Sequence, residues 1–481
     1  MDKTKPVAFI AIDLGASNGR IIIGSLCSGK LSLKTVHRFE HAICEIRNKK
    51  CWDWQFIQDS IFQGLKIAAG ILGDQQPKSI GCTSWAQDFG LLDKKGKICY
   101  PPVSYRDNRT QGMPKAFSVI IKPTELHCHN GSALMPITTL CQLKAMADAE
   151  QETLQEANGL LHIADLVNCL LCGAVKTDWT MATASQMINV NNEAWDEQLL
   201  RKMSIPKKLL PEFIKQPGVI GSFQATDKEL LPWQGIPVIS GGGHDTAAAV
   251  YAIQPLPANA AFVSLGTWSM PGIETRGFLL PEISEAEELC PLGIPGGDWA
   301  LFHPGTGLWL IQECRKEWQK QGKTCEYSEL VNLARNSPSD SLIPVNDPRF
   351  FAPKNMLEEI RNCCIEQNFY EPNSIGDCAR IIFRSLACQV SKSVKLLAES
   401  TGQELQHLHV LSGAVNNIFL CQEIANFSEI PVIAGPVEAT VVGNLLLQAE
   451  VGRFIAGKQE KQAVLQASFK LKKYQPKDPH E

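Results

Sequence analysis

Ile12-Asp13-Leu14-Gly15-Ala16-Ser17-Asn18-Gly19-Arg20 is the stretch on which the reading of this chain turns. An apolar run over 7–12 enters it and a second, over 21–24, leaves it, so it reads as the tip of a hairpin between two buried strands. The tip offers backbone N–H groups and hydroxyls to a phosphate, and Asp13 is placed to orient a hydrated cation. It is not a Walker loop: no Gly-Lys-Ser/Thr is present, and a strand rather than a helix leaves the turn. Taken alone, the same residues also fit a decorated hairpin turn. About half a chain later the pattern returns, an apolar run over 260–264 followed by Leu265-Gly266-Thr267-Trp268-Ser269. Two tips of like chemistry suggest a duplicated fold with a ligand between the halves.

Between the two tips lies Ile239-Ser240-Gly241-Gly242-Gly243-His244-Asp245-Thr246-Ala247-Ala248-Ala249. A strand-like entry runs into three glycines, then a carboxylate, then small residues suited to a helix. The glycines permit close approach or positive φ. Asp245 would sit near a helix N-terminus, where anionic ligands also bind, so it reads either as a base or metal-orienting group in a phosphate site or as an ordinary N-cap.

With 481 residues the chain is too long for one ordinary core, and two large domains are expected. Hydrophobic residues at 44% and charged residues at 20% suit a folded globular protein, and a net charge of −4 argues against a dedicated nucleic-acid binder. The opening apolar run is too short for a signal or a membrane span, and no later run approaches the ~18 residues a span needs, so no membrane partner and a cytoplasmic location are expected. The 17 cysteines are scattered without zinc-finger spacing, which suits free thiols in a reducing compartment. His127-Cys128-His129 reads as a surface loop rather than a metal fragment, since adjacent residues cannot easily share one tetrahedral ion.

Elsewhere the periodicity predicts a helix over 54–72, a strand over 79–83, another over 85–93, a mainly helical region over 136–204 with polar islands at 164–165 and 177–185, helices over 305–318 and 374–400, and strands over 407–411 and 431–434. Residues 435–440 open the last core helix. Trp85 reads as a core tryptophan more readily than as a sugar platform. Arg106, Asp107 and Arg109 suit either a polyhydroxylated ligand or a buried ion-pair knot.

In this order the pieces resemble the FGGY carbohydrate kinases, closest to the rhamnulokinase branch. The resemblance spans about Phe9 to Gln448 and rests on seven segments: 12–20, Asp88-Phe89-Gly90-Leu91-Leu92-Asp93, Tyr105-Arg106-Asp107-Asn108-Arg109-Thr110, His244-Asp245-Thr246-Ala247, 264–269, Gly307-Leu308-Trp309-Leu310-Ile311-Gln312, and Ala434-Gly435-Pro436-Val437-Glu438-Ala439-Thr440. It implies two actin/hexokinase-like (ribonuclease H-like) α/β domains about a cleft, an N-terminal one over 1–251 and a C-terminal one over 252–471, with a polar, frayed tail over 472–481. It implies ATP, Mg²⁺ and a small sugar as ligands, and phosphorylation of a sugar hydroxyl, in this branch the 1-hydroxyl of a deoxyketose. By resemblance Asp245 is the catalytic base and Asp13 the Mg²⁺-orienting carboxylate. Ala16, Ser17, Asn18, Gly19, Arg20, Thr267, Gln312 and Gly413 contact the nucleotide, and Ala86, His244, Asp245 and Thr246 line the sugar site. An ordinary carboxylate, with a pKa of roughly 4, would accept the proton late in such a transfer.

Three positions depart from the branch pattern. Its Asp-Ser/Thr-Trp-Gly-Val-Asp is Thr83-Ser84-Trp85-Ala86-Gln87-Asp88 here, so a Gly has become Ala86 and an Asp has become Thr83. Its Asn ahead of Gly-Leu-Trp is Pro304, and its glycine triplet is Ser412-Gly413-Ala414. The first two are expected to alter sugar preference, and a missing hydrogen-bond partner changes discrimination between sugars by a large factor. L-Rhamnulose heads the acceptors, with L-fuculose, L-xylulose and D-ribulose as related ketoses. The altered pocket also motivates an alternative, a catalytically silent sugar and nucleotide sensor of the same fold.

Overall fold

The computed structural model describes residues 4–275, 277–279, 288–351 and 353–477. Two compact units share the chain, and neither is contiguous. One takes Met1–Pro255, Arg276–Ala300 and Thr440–Ser468; the other takes Leu256–Thr275, Leu301–Ala439 and Phe469–Glu481. The helix Ala439–Val451, late in the chain, belongs from Thr440 onward to the first unit.

In the first unit the expected hairpin is present, its strands longer than the apolar runs: Val7–Leu14 pairs antiparallel with Asn18–Cys27, leaving a tip of three residues. Gly15 N–H closes the tip on Asn18 O at 2.8 Å. Six strands form the sheet, in the order Gly218–Ser222, Pro237–Ser240, Ile80–Ser84, Val7–Leu14, Asn18–Cys27, Lys30–Glu40. The middle three, from Pro237–Ser240 to Val7–Leu14, run parallel. From Ala8 onward Val7–Leu14 is buried along its whole length, the pattern of a strand covered on both faces.

Trp54–Leu72 is a helix because Ile57, Ile61, Leu65 and Ala68 recur on one face, all buried, and because the Asp53 carboxylate caps Phe56 N–H at 3.0 Å. Full burial of each large apolar side chain contributes about 1.5–3 kcal/mol. On another side of the unit, Ala439–Val451 packs against the helix Asp245–Ile253 so closely that a Cβ at Gly443 would lie 1.8 Å from Ala248 O. Gln448 on the same helix is fully buried and donates to Ile10 O at 2.9 Å while accepting from Ser79 Oγ at 2.6 Å.

The second unit repeats the scheme. Ala260–Leu265 and Trp268–Thr275 make a hairpin, and His407–Leu411 lies parallel to its first strand. Val432–Ala434 follows in parallel, then the antiparallel edge strand Lys472–Tyr474. Hairpin, two further parallel strands and an antiparallel edge thus recur in both units, the duplication that the two tips suggested.

Several expectations are corrected. Residues 472–474 are not frayed: they complete the second sheet, while 478–481 of the tail lie outside the described residues. The strand expected over 85–93 shrinks to Phe89–Leu92, because Gln87 takes φ 80° and breaks the run. The region 136–204 is interrupted by strands, Gly159–His162 and Lys176–Asp178 among them. The helix expected from 305 begins at Trp309, since Gly305 and Thr306 pair instead with Ser269 and Trp268. His127, Cys128 and His129 lie on the helix Pro123–Asn130, not in a loop. A helix unforeseen after the last core helix, Gly457–Ser468, buries Lys461, Val464 and Leu465.

Two glycine-to-alanine changes separate packing from propensity. Gly443→Ala forces the two helices apart against backbone and is expected to destabilise by about 1–3 kcal/mol. Gly70, exposed on Trp54–Leu72 with open space around it, should gain about 0.5–1 kcal/mol as Gly70→Ala. Urea unfolding midpoints of the two variants check both signs.

Candidate functional site

The register of the parallel strands decides what the first unit can offer. Asp13 lies opposite Thr83 and Leu14 opposite Ser84, and Ser84 in turn bridges to His244. Three segments far apart in the chain, ending at Leu14, Ser84 and His244, therefore finish on one edge of the sheet. Ligands of open α/β sheets bind beyond the carboxyl ends of the strands.

Asp13 is buried, 6% exposed, with both oxygens engaged. Thr83 Oγ1 donates to Oδ1 at 3.1 Å, and the Arg20 guanidinium reaches Oδ2 through Nε at 3.1 Å and through Nη2. Arg20 sits directly across the hairpin from Asp13, so the antiparallel register makes this pair. Thr83 therefore bears on the Asp13 carboxylate, a contact that its place in the sequence did not suggest. Ala16 and Ser17 lie in the tip, while Asn18 and Gly19 open the second strand and pair with Glu40 and Phe39. Gly19 leaves room for Phe39, whose ring would stand 2.2 Å from a Cβ there.

Asp245 is the first residue of the helix Asp245–Ile253, and its N-cap is His244, so the N-cap reading of Asp245 is set aside. Thr246 donates to Asp245 Oδ1 from its N–H at 2.6 Å and from its hydroxyl at 3.3 Å. About a third of the Asp245 side chain stays open, 34%, so the carboxyl is reachable. The protein packed around it disfavours its charge, however. This desolvation pushes its pKa up to about 7; Asp13's charge adds to the rise, and the Thr246 N–H and hydroxyl oppose it. An ordinary carboxylate pKa was expected, and the difference comes from burial that sequence does not reveal. His244 moves the other way: burial, with His162 nearby, lowers its pKa to about 4, which leaves the ring neutral. Its Nε2 lies 3.4 Å from Asp245 Oδ1. Thr440 Oγ1 donates to Asp245 O at 3.2 Å.

Ala86 follows Trp85, and Trp85 is a core residue as expected, 5% exposed. Trp52 Nε1 and Trp85 Nε1 both donate to Asp88 Oδ2, at 2.6 and 2.9 Å, and Gln142 Nε2 donates to Oδ1 at 3.2 Å. Even so, burial raises Asp88 to about 6. In the neighbouring cluster Asp107 caps Arg109 N–H and accepts Lys50 N–H, and Arg109 Nη2 donates to Gln142 Oε1 at 2.6 Å.

In the second unit three distant stretches meet. Thr267, at the hairpin tip, donates through Oγ1 to Gln312 Oε1 at 3.4 Å, and its carbonyl accepts Gly307 N–H at 3.1 Å. A Cβ at Gly413 would lie 3.8 Å from Leu308 Cδ1 and 4.0 Å from Leu265 O, at the same tip. Ser412 takes φ 67° and shares a hydrogen bond of 2.9 Å with Ser264. Thr267, Gln312 and Gly413 are thereby brought together. Pro304 follows His303, whose Nδ1 lies 2.9 Å from Ser393 Oγ. Sequence reasoning missed the buried group behind the glycine run, Asp165, Thr177, Asp178 and Thr180. The polar islands at 164–165 and 177–185 were its signal.

Family models for the FGGY family of carbohydrate kinases match the chain twice, the N-terminal domain over residues 8–251 and the C-terminal domain over 261–450. A rhamnulokinase of Bacteroides thetaiotaomicron is 33% identical over 98% of this chain and 96% of its own length. Rhamnulokinases of Yersinia pestis and Oceanobacillus iheyensis are 35% and 32% identical, over 91% and 97% of this chain and 88% and 97% of theirs. Among solved structures, Plasmodium falciparum glycerol kinase with ADP superposes with a TM-score of 0.79 at 15% identity, over 98% of this chain and 94% of that one. Ligand-bound xylulose kinase from Lactobacillus acidophilus gives 0.78 at 14%, over 98% and 94%. They share the two-domain actin/hexokinase-like fold. The chain belongs to the FGGY family of carbohydrate kinases and is an ATP-dependent sugar kinase.

Proposed function

We propose that the protein transfers the terminal phosphoryl group of ATP to the 1-hydroxyl of a ketose of the L-rhamnulose class, with Asp245 as the base. The observation that carries this reading is the Asp245 carboxylate. It is open to solvent on one side, raised to about 7, and set at the start of a helix beside a neutral His244. A base whose pKa lies near the working pH combines a useful ionised fraction with a real affinity for the proton. Asp245 accepts the sugar hydroxyl's proton as the oxygen attacks phosphorus. His244 and Thr246 orient the hydroxyls around it, and Ala86 bounds the sugar. The name shared by the curated relatives supports L-rhamnulose as the first sugar to try. Ala86 and Pro304, which replace the branch's Gly and Asn, tune the choice among related ketoses.

Phosphoryl transfer is mostly positioning and charge stabilisation. The tip Ala16–Arg20 supplies backbone N–H groups to the phosphates, and Arg20 spends its guanidinium on Asp13. Thr267, Gln312 and Gly413 contact the nucleotide. Among the described residues no cluster of three or more His, Cys, Asp or Glu side chains could hold a metal alone. Mg²⁺ keeps waters and phosphate oxygens as ligands and takes only one or two carboxylates from protein, so it needs no such cluster. Asp13 is the carboxylate that would hold it, and bound Mg²⁺ would neutralise phosphate charge. All 17 cysteines are free thiols, and among the described residues no helix is long and apolar enough to cross a membrane; both support a cytoplasmic setting.

A coupled ADP-release screen over L-rhamnulose, L-fuculose, L-xylulose and D-ribulose tests the assignment. One of them should stimulate turnover, and Asp245→Asn should lower kcat by about 10²–10⁴-fold. Full rate in that variant removes Asp245 as base, and no stimulation by any ketose removes the substrate class. The pH profile has a definite sign: below about 7 the Asp245 carboxyl is protonated and cannot accept a proton, so kcat falls as the medium is acidified through that point and levels off above it. Ala86→Gly should change the sugar's KM and leave the KM for ATP unaltered, read by varying each substrate at saturation of the other.

A further inference from the structure

The buried polar group behind the glycine run has no part in the chemistry above, and its connections run directly to the segment that carries Asp245. Asp178 is fully buried at the end of the strand Lys176–Asp178. Its carboxylate accepts Thr180 N–H at 2.8 Å, the Thr180 hydroxyl, and Ser240 Oγ at 3.4 Å. Thr180 Oγ1 in turn accepts His244 N–H at 3.0 Å. A threonine hydroxyl has a single hydrogen. With that hydrogen committed to Asp178, a lone pair faces His244, and hydrogen bonds linked in this way strengthen one another.

On its other side the same stretch is held by Ser84 N–H, which donates to Gly243 O at 2.8 Å. The Gly243–His244 peptide is therefore gripped at both its carbonyl and its N–H. No room is left for slack: a Cβ at Gly243 would meet Ala164, Met181 and Asp178 at 3.3–3.5 Å. Asp165 fixes the anchor itself, accepting Asp178 N–H at 3.2 Å and the Thr177 hydroxyl.

We infer that Asp178 and Thr180 are positioning residues for phosphoryl transfer: through the Gly243–His244 peptide they set where the Asp245 carboxylate and the His244 ring stand relative to the sugar hydroxyl. The inference rests on Asp245 being the base. A misplacement of about 1 Å in such a group costs on the order of 10²-fold in rate. Thr180→Val removes the hydroxyl, keeps the shape, and leaves the buried His244 N–H without an acceptor.

The test compares Thr180→Val, Thr180→Ser and Asp245→Asn in the full-length protein by steady-state kinetics, thermal melting and amide hydrogen exchange over 240–246. Thr180→Val should lose about 10–100-fold in kcat with the KM for ATP within about twofold, and protection over 240–246 should fall. Thr180→Ser, which restores the hydroxyl without the methyl, should recover kcat to within about threefold of the parent. If Thr180→Val does not fold, Thr180→Ala carries the same comparison. The inference is overturned if Asp245→Asn is inactive while Thr180→Val keeps its rate, if Thr180→Ser is as impaired as Thr180→Val, or if exchange over 240–246 is unchanged. An active Asp245→Asn overturns the base assignment instead, and the exchange comparison still decides whether Thr180 pins the peptide.

Discussion

The register of three parallel strands governs the first unit. Val7–Leu14, Ile80–Ser84 and Pro237–Ser240 are hydrogen-bonded neighbours, and a shift of one residue would turn every side chain to the opposite face. In the observed register Asp13 faces Thr83, and Ser84 meets His244. Buried side chains on both faces lock it, because slipping would exchange the face of Ile10 and Ile12 with that of Phe9 and Ala11 in close-packed surroundings. The helix Ala439–Val451, returning from the far end of the chain, reinforces it through Gln448 and the close approach at Gly443. A carboxylate, a hydroxyl and the glycine run are thus delivered to one edge by the packing of residues with no chemistry of their own.

Burying carboxylates at that edge is costly, and the protein treats each one differently. Asp88 receives two indole N–H groups and an amide, and is still pushed up to about 6. Asp178 is satisfied by three donors and is likewise raised to about 6, Asp165 adding its charge to the effect of burial. Asp13 faces a guanidinium. Asp245 alone combines an open side with donors from a single neighbour, Thr246, and it carries the highest value of these, about 7. A carboxylate left partly unsatisfied in a polar setting, while its neighbours are fully tied down, is what a reactive base requires and what a structural one avoids.

Much of this was legible in the residues. Both hairpins, the helix Trp54–Leu72 and the strand His407–Leu411 follow from apolar periodicity alone. Gly159–His162 did not, because a short all-apolar run fits a buried strand and a buried helix equally well. Lys472–Tyr474 is a polar edge strand held by backbone pairing to Val432–Ala434, and pairing of that kind leaves no mark on side-chain pattern. At the site, Asp13, Asp245, Thr267 and Gln312 could be named from motif order. The pairing of Thr83 with Asp13, the raised pKa of Asp245 and the Asp178–Thr180 anchor could not, since each depends on which residues the fold brings into contact.

Thr83 shows how such contacts change an argument. Read along the chain, it stands three residues before Ala86, and its departure from the branch's Asp looks like a change in the sugar pocket. Read across the sheet, its hydroxyl donates to Asp13 Oδ1. An Asp there would have set two carboxylates side by side, repelling each other until a cation or a proton intervened. The threonine replaces that repulsion with a hydrogen bond, so one negative charge and one hydroxyl remain where the branch pattern has two negative charges. What the substitution changes in this fold is therefore how the Asp13 carboxylate is held.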